Sequence, residues 1–105
     1  MGGKMNIGRA VKQLRKHHKL NQSELAGSVG ITQTSLSQIE SGNTVPNSGT
    51  LKKICDFFQI PELVVYLLAT DDNDIPLANR EMFGKVFPSV SGILLDLFDV
   101  PKEVR

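Results

Sequence analysis

The chain has 105 residues and a mass of 11.5 kDa, room for one compact domain and a short appended element. With 40% apolar and 22% charged residues it reads as globular rather than disordered. Its apolar runs, such as Leu63 to Ala69 and Ile93 to Leu95, fall far short of the ~20 residues that span a bilayer, which excludes a transmembrane helix.

The net charge of +1 hides an asymmetry. Residues 1–55 carry eight Lys and Arg against two Glu, and residues 56–105 carry four against nine Asp and Glu. A basic half suggests a polyanion partner, and an acidic half suggests another task. The first residues, Met1 to Met5, have no apolar stretch after Lys4, so no secretory signal is expected. The single cysteine, Cys55, allows no internal disulfide and fits a reducing compartment, so the expected location is cytoplasmic.

Helical periodicity dominates. Ile7, Val11 and Leu14 share one face of a helix over roughly residues 5–19, whose other faces carry Arg9, Lys12, Lys16 and Lys19. Leu20 or Asn21 ends it. A short helix starts at Gln22, and Gly27 and Gly30 punctuate the stretch after it. Thr32 suits the cap of a third helix, Gln33 to Ser41, with Leu36 and Ile39 facing inward and Gly42 as its stop. Asn43 to Gly49 has loop composition. A fourth helix is expected over about Thr50 to Phe58 and a fifth over Pro61 to Ala69, opened by proline at its first turn. The polar stretch Thr70 to Asp74 marks a boundary. Beyond it the spacing predicts two helices, about 76–87 and 89–99, parted by Pro88. Val90, Ile93, Leu94, Leu97 and Phe98 form an apolar stripe in the second.

The window from Gln22 to Ile39 has the spacing of a helix-turn-helix. A short helix must cross a second one closely, and Ala26 is small enough for the contact. The chain must then reverse within a few residues, and Gly30 takes up the left-handed backbone without a Cβ penalty. Leu25 and Val29 face Leu36 and Ile39. The outer face of the second helix is polar, with Gln33, Thr34, Ser37 and Gln38 able to hydrogen-bond base edges.

Leu20 to Ala26 followed by Val29 to Gly42 resembles the Xre family, which includes the phage repressors and Cro proteins. Pro46 and Thr50 to Ile54 match that family's loop and fourth helix. The resemblance covers about residues 5–69 and implies an all-α, five-helix, lambda-repressor-like DNA-binding domain. Residues 70–105 are then a short C-terminal helical extension.

The resemblance also implies roles. Gln33, Thr34 and Gln38 contact bases; glutamine can pair with adenine through two bonds, and the threonine methyl can pack on the thymine methyl. Asn21, Gln22, Ser35 and Asn43 hold phosphates, Gln22 from a helix start where backbone N–H groups favour an anion. Arg15 pairs with Glu40 and leaves a guanidinium edge near the DNA backbone. One departure stands out: the recognition helix holds no Lys or Arg. Amide and hydroxyl readout favours A·T over guanine contacts. The electrostatic share of affinity then falls to Arg9, Lys12, Lys16, Lys4 and Lys19, with Lys52 and Lys53, and a modest set of phosphate contacts calls for a dimer on two half-sites.

Other features carry blander readings. His17 and His18 are expected at the surface near a helix end. Two adjacent histidines and one distant cysteine lack the spacing of a metal site, so no metal or cofactor is expected. Cys55, on an apolar face beside Ile54 and Phe58, reads as a buried thiol. No nucleophile elbow or phosphate loop frames an enzyme, and no small-molecule effector is expected. The stripe of Val90, Ile93, Leu94, Leu97 and Phe98, joined by Phe83 and Phe87, either covers the core or forms a homodimer interface, and the twofold operator favours the second. The expected function is sequence-specific binding of double-stranded DNA by a dimeric transcriptional repressor. The alternatives are a protein-interaction module or the antitoxin of a toxin–antitoxin pair, in which DNA binding is weak or secondary.

Overall fold

The computed structural model describes residues 6–98; Lys4, Asp99 and Glu103 lie outside the described residues. The described chain is all-helical. Helices α1 (Ile7–His17), α2 (Gln22–Val29), α3 (Gln33–Ser41), α4 (Ser48–Phe58) and α5 (Glu62–Leu68) form the body, and α6 (Arg80–Leu97) comes after two short 3₁₀ turns.

The first four helices each start on a side-chain cap that the sequence supplies. Asn6, Asn21, Thr32 and Asn47 accept hydrogen bonds from the amides of Arg9, Glu24, Ser35 and Thr50 at 2.8–3.0 Å. Asn21 and Glu24 close a full capping box, the Asn21 amide donating to Glu24 Oε1 at 2.8 Å. Asn47 sets the start of α4 at Ser48, two residues before the expected Thr50. The second helix runs through Gly27 to Val29, and Gly30 then turns left-handed at φ 76°. Gly42 does the same at φ 86° after α3. Helix α1 stops at His17, and Lys19 takes the left-handed turn at φ 60°.

The core gathers Val11 and Leu14 from α1, Leu25 and Val29 from α2, Leu36 from α3, Leu51, Ile54 and Phe58 from α4, and Val65 and Leu68 from α5. Cys55 is buried in it, and burial, aided by Glu62 and Asp56, pushes its thiol up to about 11. The His18 ring packs on Phe58 at 4.9 Å between centroids. One contact was not legible in the sequence. Helix α1 lies so near α3 that a Cβ at Gly8 would collide with the Ile39 carbonyl.

The tail differs from expectation. In place of two helices parted by Pro88, α6 is continuous from Arg80 to Leu97 with Pro88 inside it. Proline removes one helix hydrogen bond, to the carbonyl of Gly84, and crowds that carbonyl. Packing on both sides of Pro88 offsets the loss. Phe83 and Phe87 stack with centroids 4.6 Å apart, and Leu94, Leu95 and Phe98 press on the core.

Candidate nucleic-acid interface

Helix α3 presents one face to the core and one outward. Leu36 and Ile39 are buried, whereas Gln33, Thr34, Ser37 and Gln38 are all exposed. At 3.6 residues per turn these four span an arc of roughly 140°, with Ser41 inside it. The four base-reading candidates therefore share one surface.

Neighbouring elements hold that surface. Ser23, near the start of α2, donates its hydroxyl to Gln33 Oε1 at 2.8 Å. This fixes a side chain that would otherwise sample several rotamers, while its amide N–H groups and a second lone pair stay available. The sequence reading missed Ser23; its place one residue after Gln22 was the available signal. The amides of Asn43 and Thr44 both donate to the Gln38 carbonyl, at 3.0 and 3.2 Å, and tie the following loop to the end of α3. Ser35 and Gln38 line a groove of about 210 Å³ with Thr44, Pro46, Asn47 and Thr50. Asn43 is exposed beside it. The Asn21 side-chain oxygen is committed to its cap, which leaves its two amide donors for a phosphate.

Beneath the surface lies a buried ion pair. Arg15 Nε and Nη2 donate to Glu40 Oε2 and Oε1 at 2.7 and 2.9 Å, and Nη1 donates to the Leu20 carbonyl at 2.8 Å. Both residues are 8% exposed. Gln22 Nε2 adds a bond to Glu40 Oε1 at 3.1 Å. So α1, the α1–α2 turn, α2 and α3 meet at one ion pair. Burial alone would push the Glu40 carboxyl up; the bonds from Arg15 and Gln22, with the charges of Arg15 and Lys12, outweigh it and hold the carboxyl below its ordinary 4.5. The hydrogen bond to Glu40 likewise raises Arg15, against desolvation.

A pH dependence results from that direction. Since the folded value lies below the unfolded one, the pair contributes fully above about pH 4.5 and is lost as pH falls through the folded value. Urea denaturation between pH 7 and pH 3 should show a flatter stability curve below pH 4.5 for Glu40→Gln than for the parent. Parallel curves would show that Glu40 does not contribute to acid sensitivity.

Two expected phosphate ligands make hydrogen bonds within the fold. Arg15 is buried, and each of its three guanidinium nitrogens makes a bond within the fold. Arg9 donates from Nη2 to the carbonyls of Leu68 and Thr70 at 3.3 and 2.9 Å. The end of α5 carries unpaired carbonyls and the negative end of the helix dipole, which attract a cation. Arg9, Lys12, Gln13 and Lys16 line a groove of about 570 Å³ whose other walls come from Leu68, from Thr70 to Asp72, and from Arg80, Phe83, Gly84 and Phe87. No residue of α2 or α3 lines it. Between Leu20 and Leu51 the chain has no Lys or Arg at all, and the exposed face of α3 is built of amides and hydroxyls.

The C-terminal stripe divides. Leu94 and Phe98 are half-buried against the core with Leu95. Val90, Ile93 and Leu97 face outward, the last two 65% and 70% exposed.

Residues 8–72 match the family model of a helix-turn-helix domain. The chain belongs to this family. The match takes in α1 to α5, and the left-handed Gly30 between two crossing helices is the turn that defines such a domain. The chain is similar to the HTH-type transcriptional activator BcrR of Enterococcus faecalis, 32% identical over 93 residues, which is 86% of this chain and 44% of that protein. It is 41% identical over 80 residues to the antitoxin PezA of Streptococcus pneumoniae serotype 4, covering 76% of this chain and 49% of that protein. It is 40% identical over 48 residues to the ImmF control region 10 kDa protein of Bacillus phage phi105, covering 46% and 53%. The chain thus spans about half the length of the curated relatives it matches. No solved structure matches it. Among the described residues no helix is long and apolar enough to cross a membrane.

Proposed function

We propose that this protein is a cytoplasmic, sequence-specific DNA-binding regulator that reads the major groove with α3. The observation that carries the reading is the α2–Gly30–α3 unit with Gln33, Thr34, Ser37 and Gln38 on one exposed face. Residues 5–69 are the DNA-binding domain, and 70–105 the extension through which two copies associate. Two recognition helices then enter successive major grooves about 34 Å apart. Repression by operator occlusion needs nothing beyond the bound dimer. Asn21, Gln22, Ser35 and Asn43 hold phosphates, helped by the helix starts at Asn21 and Asn47.

The absence of Lys and Arg from α3 and from the chain on either side of it sets the salt dependence. Affinity rests on few charge contacts, so the logarithm of the binding constant should fall with the logarithm of salt at a slope of only about 2–4. Gel shifts on DNA from the protein's own upstream region, across a salt series with unrelated competitor, test the reading. A specific shift at nanomolar protein supports it, and no shift on any duplex at low salt overturns it. Gln33→Ala should cost ~1–3 kcal/mol at one base position. Lys12→Ala, on an exposed residue whose charge already acts on Glu40, should weaken all sequences alike and reduce the slope by about 0.9. The same loss profile for both variants would contradict the assignment of α3.

A second reading as an antitoxin is favoured by the relative of that name. It expects a small protein, encoded next to this gene, that co-purifies with the chain.

A further inference from the structure

We infer that α6 forms the dimer by packing antiparallel against α6 of a second copy, with Lys85 of each protomer facing Asp96 of the other. The inference rests on the dimeric part of the functional reading and assigns its geometry.

Met82, Val86, Val90, Ile93 and Leu97 are exposed, from 39% at Val90 to 70% at Leu97. They recur at steps of four, four, three and four residues along α6. At 3.6 residues per turn they fall within a sector of about 80° and run about 22 Å along the helix. Large apolar side chains gathered in one stripe are unusual on a monomer's surface. The stripe offers roughly 500 Å² per protomer, so a symmetric pair reaches the ~1,000 Å² that a specific interface needs.

Symmetry identifies the occupant. The stripe reads nearly the same in both directions. Met82 and Leu97 share the midpoint of Val86 and Ile93, and Val90 sits beside that midpoint. Antiparallel pairing therefore sets Met82 against the partner's Leu97, Val86 against the partner's Ile93, and the two Val90 side chains at the centre. Charge agrees. Lys85 and Asp96 lie on the same flank of the stripe and nearly equidistant from its middle. An antiparallel twofold axis brings like flanks together, so each Lys85 meets the partner's Asp96 and the dimer holds two such pairs. A parallel pair would bring that flank against Phe83 and Leu94 instead. Lys85 is free to turn, since its contact with Glu81 is a 3.5 Å pair between largely exposed side chains.

The described residues leave the stripe open to solvent. Leu94, Leu95 and Phe98, which dock α6 on its own body, lie about 120° round the helix from the stripe. The two bodies lean away from each other and lie on one side of the helix pair.

The test uses the whole chain and cysteine cross-linking. Cys55 is buried with its thiol pushed up to about 11, so it does not interfere. Val90→Cys should cross-link with itself. Met82→Cys and Leu97→Cys should each fail alone and cross-link when the two proteins are mixed. Light scattering gives the second readout. Lys85→Glu should weaken the dimer about tenfold, and so should Asp96→Lys, while the combined swap should recover most of the loss. These side chains are exposed, so circular dichroism of every variant should match the parent. Self-linking of Met82→Cys or of Leu97→Cys alone overturns the antiparallel arrangement and leaves the dimer standing. A monomer at ~100 μM with no cross-link at Val90 overturns the dimer with it. The gel shift remains an independent test of DNA binding.

Discussion

Glu40→Ala should lower the unfolding free energy by about 3–5 kcal/mol, read as a shifted urea midpoint at unchanged slope. The size comes from what is left behind. The Arg15 guanidinium stays buried beneath α3 with two of its three bonds gone, and an uncompensated buried charge costs far more than a lost surface pair. The Gln22 amide loses its acceptor as well. Domains of this size have about 5–15 kcal/mol in total, so the variant should be partly unfolded at 37 °C. Removing both charges should be milder. Arg15→Met with Glu40→Leu leaves no orphan and should recover most of the stability. DNA binding should recover less than stability, because Gln22 no longer has the carboxylate that positions it at the start of α2. Equal midpoints for Glu40→Ala and the parent would remove the pair from the account of the fold.

That pair also shows how far the sequence is legible. Short-range signals were read well. Thr32 before an apolar-periodic run gave the start of α3, and Gly30 and Gly42 gave the left-handed stops. The polar face of α3 could be named because periodicity decides which residues share a face. Side-chain partners set by tertiary structure were harder. Arg9 and Arg15 look alike in a basic helix, yet one caps α5 and the other is buried against Glu40. Only the direction each takes round α1 separates a carbonyl-bound arginine from a phosphate-bound one. Pro88 misled for a related reason. Its local rule stops a helix, but the rule weighs one lost hydrogen bond, and the packing of Phe83, Phe87, Leu94 and Phe98 on either side lies outside it. The stripe was visible as apolar but not as divided. Whether Leu94 faces the core and Ile93 faces outward depends on how α6 docks, which spacing alone does not contain.

Gly8→Ala should be the most damaging glycine-to-alanine change among the described residues, costing about 3 kcal/mol. In a helix interior alanine ordinarily improves on glycine by ~1 kcal/mol, so a loss means that a contact overrides propensity. Here the contact is a backbone atom. The new Cβ would run into the Ile39 carbonyl, whose position the α3 ladder and the buried Ile39 side chain both fix. The end of a flexible side chain could give way; a helix backbone moves only as a unit. Helix α1 must therefore lift off α3, which stretches the Arg15–Glu40 bonds and turns the recognition face relative to the start of α2. DNA affinity should fall even at temperatures where the variant stays folded. Gly27→Ala is the matched control. It lies within α2 with nothing within 4 Å of the added Cβ, so it should gain about 0.5–1 kcal/mol. Thermal denaturation of the two variants beside the parent should move in opposite directions. If both rise, α1 does not need its close approach to α3, and the glycine at position 8 serves no packing purpose.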